Sequence, residues 1–230
     1  MKNRFLYLII FAALGFLLLQ LPVNNLIGTR AKLTFFDMFY PVSGAFLGTG
    51  FGLVAVLAMQ IVNLAVHGFS GISSVSILAI LATSRLISLG AGAFAFSRKD
   101  KIALVLPVAS ILIFLANPVG RAVWFFTLLW VIPLAASVFR KKSLFANSVF
   151  ATFSSHAVGG ALWIWAFKTT PLYWETLIPI VILERSVFAL GMSASFIFLN
   201  NIISYAAKLK VLPKSGVILS NKYLLRSSRI

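Results

Sequence analysis

Apolar residues in this chain run in long blocks separated by short polar stretches. Eight blocks stand out, at about 5–21, 33–47, 50–66, 75–96, 102–116, 123–139, 147–167 and 176–200. Several approach the ~20 residues that a helix needs to cross a bilayer. The pattern predicts an all-α fold, a polytopic transmembrane helical bundle of six to eight spans. The second and fifth blocks are short, near 15 residues, and are expected to be tilted, partly re-entrant or extended by their flanks. Between the second and third lies SGAFLGTGFG, residues 43–52, with Gly44, Gly48, Gly50 and Gly52. Glycines four apart let helix backbones approach closely in lipid, so this stretch predicts a tight helical hairpin. With no strand before it, it does not read as a phosphate-binding loop.

Composition reinforces the pattern. The chain is 60% hydrophobic with a mean hydropathy of +1.01 and only 10% charged residues, against about 25% charged in ordinary soluble domains. At 230 residues it holds one bundle, read as 1–206, followed by a basic tail, 207–230. The tail AKLKVLPKSGVILSNKYLLRSSRI is expected to lie along an anionic inner leaflet. The first block lacks a small-x-small signal before PVNN, so it reads as an uncleaved helix. There is no cysteine, which removes disulfides, thiol catalysis and cysteine metal sites.

Net charge is +16, and its distribution matters more than its size. With the N-terminus inside and eight spans threaded, Lys2, Arg4, Arg98, Lys99, Lys101, Arg140, Lys141, Lys142 and six basic residues of the tail fall inside. Arg30, Lys32, Arg121 and Lys168 fall outside. Fourteen against four is the bias that marks the cytoplasmic side. It predicts an even number of spans in the cell membrane with both termini cytoplasmic. Charges in short clusters between apolar blocks do not suggest nucleic-acid binding.

Two basic residues, Arg85 and Arg185, lie within spans, as does Glu184. At 1.5 Å of rise per residue, Glu184, Arg85 and His156 lie roughly 12, 15 and 16 Å below the outer ends of their helices. By the same count Gln60, Asn63 and Asp37 lie about 9, 5 and 6 Å down. Residues from five blocks thus share the outer half of the bilayer. An intramembrane charge costs at least about 2.5–3.5 kcal/mol on insertion scales, and such groups usually face one another or a watery cavity. Glu184 and Arg185 sit about 100° apart on a helix, so Glu184 is expected to pair across helices with Arg85. Arg185 would then need Asp37, a carbonyl, a lipid headgroup or a ligand anion. His156 sits among small residues in SSHAVGG, 154–160, where a helix or ligand can come close. Trp163, Trp165, Tyr173 and Trp174 read as interface anchors, or as an aromatic lid over a cavity.

Catalysis finds little support. Asp37, Asp100, Glu175 and Glu184 are the only acidic residues, too few for a two-metal hydrolase or a lipid phosphotransferase. Ser155 directly precedes His156, and adjacent helix residues point apart, so no nucleophile–base pair is evident. There is no GxxxxGK[ST] phosphate loop. The chain is read as not an enzyme, with no cofactor and no metal site. Any ATP hydrolysis driving uphill transport must come from another polypeptide.

The stretch LPVNNLIGTRAKLTFFDMFYPVSGAFLGTGFGLVAVL, 21–57, resembles the start of substrate-binding S components of energy-coupling factor transporters. LYWETLIPIVILERSVFALGMSASFIFLNNII, 172–203, is similar to their final helix. The resemblance covers about a third of the chain. It implies a small membrane bundle that captures a vitamin or related micronutrient from outside, with a coupling membrane subunit and two ATPases as partners. That family normally has six helices, where eight blocks are counted here. Its first helix often carries small residues four apart for docking, whereas Ala12, Ala13 and Gly15 do not have that spacing.

Taken together, these features predict a solute-binding uptake subunit. Arg85 and Arg185 would meet an anionic group, and Glu184 would orient an arginine or accept from the ligand. Asn63, Gln60 and His156 would supply hydrogen bonds, with Asp37 and the 22–32 loop closing the mouth. The competing expectation is a structural or assembly membrane protein whose intramembrane charges only fix helix packing.

Overall fold

The computed structural model describes residues 2–23, 34–67, 75–98 and 100–225, with the backbone alone at 64, 67 and 75–84. Each of the eight apolar blocks contains a helix among the described residues. Among the described residues the helices are α1 (Lys2–Leu19), α2 (Phe36–Leu47), α3 (Thr49–His67), α4 (Val75–Ser97), α5 (Val105–Ala116), a short α6 (Pro118–Ala122), α7 (Leu128–Ser137), α8 (Leu144–Ala166) and α9 (Pro171–Lys208). The fifth and sixth blocks begin as 3-10 turns, Lys101–Leu104 and Trp124–Thr127, before α5 and α7. Among the described residues no strand forms; an isolated bridge joins Pro22 to Thr34.

Helix ends follow local chemistry. Asn117 caps α6, its side chain accepting from Val119 N, with Pro118 in the first turn. Thr170 does the same for α9, accepting from Tyr173 N ahead of Pro171, and Ser143 caps α8 through Ala146 N. A side-chain oxygen answers an orphan amide, and proline loses nothing where its missing N–H would be unpaired. α9 was expected over 176–200; its 38 residues carry it further at both ends. At about 57 Å by helical rise, it is longer than a hydrocarbon core of about 30 Å.

Close crossings occur where side chains are absent. A Cβ at Gly52 would lie 2.4 Å from Gly44 Cα, so α2 and α3 form the tight hairpin expected from 43–52. The turn between them is Gly48, at φ +79°, a conformation glycine adopts without penalty. α1 buries a stripe of Tyr7, Phe11 and Gly15, the i, i+4 spacing of one helix face, and Gly15 abuts Met59 of α3. α2 and α8 are buried nearly all round and form the centre of the bundle. α8 brings polar residues with it: Asn147, Ser148, Thr152, Ser154 and Ser155 are all buried. Meanwhile Ile9, Ile61, Leu112, Leu190 and Phe198 are exposed on the outside of α1, α3, α5 and α9.

The bundle has two chemically distinct ends. At one, Ser97 Oγ, closing α4, donates to Thr49 Oγ1, opening α3 (3.0 Å). The turn after α7 and the N-terminus of α1 share this end. So does the chain beyond α9, which folds back onto the helix ends. Tyr7 donates to Pro213 O (2.7 Å), Asn3 to Ser215 Oγ (2.7 Å) and Lys222 Nζ to Lys142 O (2.7 Å). Asn200 and Asn201 of α9 fasten the returning backbone at Ser220, Tyr223 and Leu225. This is the end with the basic residues. At the other, Asn117 Nδ2 donates to Ile164 O (3.3 Å), and an aromatic cluster of Phe114, Phe126, Trp130 and Trp174 packs edge-to-face.

Among the described residues two helices, Lys2–Leu19 and Pro171–Lys208, are long and apolar enough to cross a membrane by length and composition. Shorter apolar helices span Thr49–Asn63, Arg85–Ser97, Lys101–Ala116 and Trp124–Ser137.

Candidate functional site

A cavity of about 730 Å³ opens between α4, α8 and α9 toward the aromatic end. Three helices each contribute one face. From α4 come Arg85 and Ser88, at i, i+3. From α8 come His156, Gly159, Gly160 and Trp163, at i, i+3, i+4 and i+7, the spacing of a single helical stripe. α9 supplies Tyr173, Trp174, Leu177 and Arg185.

The two guanidinium groups are held differently. Arg185 folds along its own helix so that Nη2 donates to Glu184 Oε2 (3.2 Å), and its Cζ lies 4.7 Å from the Phe188 ring centre. Its Nε is buried without a hydrogen-bond partner among the described residues. Glu184 therefore pairs with its neighbour and not with Arg85, correcting the expected cross-helix pair. The Cβ vectors of neighbours diverge, but the arginine side chain is long enough to curl back onto the carboxylate. Arg85 is exposed and forms no hydrogen bond or ion pair among the described residues. With Glu184 compensating Arg185, Arg85 leaves the cavity wall with net positive charge.

His156 is oriented by a partner. Trp130 Nε1–H donates to His156 Nδ1 (3.1 Å), so the neutral ring carries its proton on Nε2. The rings of Phe126 and Trp130 flank it, at 6.0 and 6.2 Å between centres. Ser88 ties the cavity to the buried centre. Its Oγ donates to Ser155 O (2.8 Å), Ser155 Oγ donates to Ser88 O (2.8 Å), and Ser155 Oγ also meets the Tyr40 hydroxyl (2.9 Å). Ser155 and His156 thus serve different partners. Gly92 makes room for the Tyr40 hydroxyl, which stands 2.4 Å from where its Cβ would be. Tyr40 lies within electrostatic reach of Asp37, Arg85 and Arg185.

Of the seven residues singled out in the sequence, Arg85, Arg185 and His156 line the cavity and Glu184 supports it through Arg185. Gln60, Asn63 and Asp37 do not line it. Gln60 is buried on α3, its Nε2 unpartnered among the described residues; Asn63 is half-buried one turn further on. Asp37 Oδ2 accepts from Thr34 N (3.0 Å), reaching back from the first turn of α2. A shared depth places residues at one level of a bundle but not on one side of it. The loop 22–32 lies, from residue 24, outside the described residues, as does the side chain of His67. Among the described residues no cluster of three or more His, Asp or Glu could hold a metal ion.

Sequence reasoning did not assign Ser88, Gly159, Gly160 or Leu177 to the site. The stripe 156, 159, 160, 163 on α8 was the available signal. Trp163, Tyr173 and Trp174 wall the cavity, which favours the lid reading over interface anchoring for these three. Trp165 is exposed, its Nε1 donating to Ile113 O (3.0 Å). No family model matches the chain, and neither the curated proteins nor the solved structures contain a significant match.

Proposed function

We propose that this protein is a multi-pass membrane subunit that binds a small solute with an anionic group, entering from the outer side, for uptake. The observation that carries the proposal is the convergence of Arg85, Arg185 and His156 from three helices on one aromatic-walled cavity. An anionic group would sit between Arg85 and the unpartnered Nε of Arg185, while Trp163, Tyr173 and Trp174 would pack against its organic part. His156 Nε2–H would add a directed donor. Polar convergence on a concave, partly aromatic wall is the usual character of a small-molecule site.

Membrane residence rests on more than the two long helices. Soluble monomers rarely expose large contiguous apolar surface, yet Ile9, Ile61, Leu112, Leu190 and Phe198 face outward from four helices while Ser148, Ser154, Ser155 and Asn147 are buried among the core side chains. The basic end would face the cytoplasm, placing the cavity on the outer side. ATP hydrolysis would come from partner subunits, as the resemblance to energy-coupling factor S components implies. The competing structural reading is weakened by the ion pair itself: neighbours on one helix cannot set the register between helices.

Native mass spectrometry of the protein purified gently from its own host tests the proposal. A retained small anion, lost in Arg85→Ala with thermal stability unchanged, is the expected result. A well-folded Arg85→Ala that retains the same molecule would remove this cavity as the site. Co-purification of an ATPase tests the coupling separately.

A further inference from the structure

A second cavity, of about 490 Å³, lies at the opposite, basic end. It is independent of the proposed solute site, sharing no lining residue with it. Its roof is the chain folding back after α9, residues 218–220 and Tyr223, held down by the Ile218 amide donating to Phe46 O (2.8 Å).

Arg140 dominates its chemistry. The residue is 2% exposed and lies in the turn after α7. Its Nη2 donates to Ala95 O (2.6 Å) and to Arg98 O, and its Nε to Asn147 Oδ1 (3.3 Å). The guanidinium carbon stands 3.7 Å from the Phe150 ring centre. Nη1 is buried with no hydrogen-bond partner among the described residues. No carboxylate pairs with Arg140 among the described residues. Burial pulls its pKa down to about 10, with the Asp100 carboxylate acting in the opposite direction; the group stays charged at neutral pH. Asp100 itself is held by Arg98.

A buried cation whose hydrogen bonds among the described residues go only to carbonyls and an amide has no paired anion, which is costly unless an anion completes the set. Two further features of the same cavity suit an anion. Lys141 lines it, exposed and without a partner among the described residues. Gly48 and Thr49 line it at the start of α3, where the first amides have no intrahelical acceptor and the helix dipole favours negative charge. A Cβ at Gly48 would meet nothing within 4 Å, so the approach to this turn is open. Among the described residues no acidic residue lines the cavity.

We propose that this cavity binds a phosphoryl group, received by Arg140 Nη1, the Lys141 ammonium and the first turn of α3. Its volume exceeds that of one phosphate, and Phe96, Phe196 and Tyr223 line the remainder, so the ligand is a phosphate ester with an organic body. A phosphorylated solute and the headgroup of an anionic phospholipid share this chemistry.

The test uses the full-length protein in phosphatidylcholine nanodiscs, with equilibrium dialysis against labelled inorganic phosphate. A second arm adds phosphatidic acid to the nanodisc and counts retained lipid by native mass spectrometry. Saturable retention of one phosphate per chain is expected, weakened about tenfold in Lys141→Gln, as for loss of one charge-assisted contact. Arg140→Gln should abolish retention. Because Arg140 also holds the end of α4, Lys141→Gln, which removes no hydrogen bond, carries the argument if Arg140→Gln fails to fold. Phosphate retention displaced by phosphatidic acid assigns the site to phosphoryl groups generally. Retention of phosphatidic acid alone, still weakened by Lys141→Gln, assigns it to a lipid headgroup. No retention of either at millimolar ligand, or retention unchanged in Lys141→Gln, overturns the proposal.

Discussion

Arg185 and Arg140 are both charged groups set into apolar surroundings, one at each end of the bundle. Arg185 has a carboxylate beside it, Glu184, and rests over Phe188. Arg140 has backbone carbonyls, an asparagine and Phe150. The first arrangement is close to neutral; the second leaves a whole positive charge. Carbonyls at the end of a helix complement a cation through the dipole, but they supply only partial charge. Each arginine also leaves one buried nitrogen unpartnered among the described residues. A buried arginine can thus be structurally anchored and still electrostatically unsatisfied, and the degree of compensation separates a supporting role from a receiving one.

Removing Arg140 should have the largest effect on stability. Arg140→Ala strips the partners from Ala95 O, Arg98 O and Asn147 Oδ1, and buried polar groups left unpaired cost about 1–3 kcal/mol each. A loss of about 3 kcal/mol or more is expected, read by thermal denaturation in detergent; a shift under about 1 kcal/mol would mean Arg140 does not anchor the end of α4.

At the other end the larger effect should be on binding. Among the described residues Arg85 has no hydrogen-bond or ion-pair partner to lose, so Arg85→Ala should weaken an anionic solute at least tenfold, about 1.4 kcal/mol, without lowering the melting temperature. A melting loss comparable to that of Arg140→Ala would make Arg85 a structural residue.

Glu184→Gln sharpens the contrast directly. It should destabilise by about 2 kcal/mol, since it leaves Arg185 uncompensated. The double replacement Glu184→Leu/Arg185→Met should recover that stability while still failing to bind the solute. Recovery of both would return the pair to a packing role. Trp130→Phe should act more gently. It frees His156 Nδ1, so solute binding should fall only several-fold, by about 1 kcal/mol, with no such change for the indole-preserving Phe126→Leu.

The smallest effect belongs to Asp100. Its bond to Arg98 holds the carboxyl below the ordinary range. A depressed carboxyl contributes stability above its unfolded pKa, about 3.9, and loses it as pH falls through the folded value. The pair is exposed, and exposed pairs contribute little. Asp100→Asn should leave the melting temperature at neutral pH unchanged and slightly flatten the acid limb below pH 4.

Much of the architecture was legible because it depends on local composition. Eight apolar blocks became helices, Gly44 and Gly52 became the contact of a hairpin, and Asn117-Pro118 and Thr170-Pro171 became helix starts. Backbone hydrogen bonding and steric bulk are written into consecutive residues. The segregation of basic residues to one end was legible too, since an up-and-down path follows from short connections. Depth along a helix was countable, and it brought Arg85, Arg185 and His156 to one level.

Azimuth was not countable. Which way each helix turns its face depends on its neighbours, so Gln60, Asn63 and Asp37, counted into the same half of the bilayer, do not line the cavity. Nor could spacing predict that Arg185 would curl back to Glu184, because that choice depends on what else the guanidinium can reach. The basic tail looked like a surface segment; packing fastened it across the helix ends through Asn200 and Asn201 and closed a cavity over Arg140. Consecutive residues set which segments are helical and which end of the bundle is basic, through interactions between near neighbours, whereas α9 runs beyond its apolar block at both ends. The tertiary structure alone decided which charges meet, because contacts between distant residues exist only once helices have been rotated and packed.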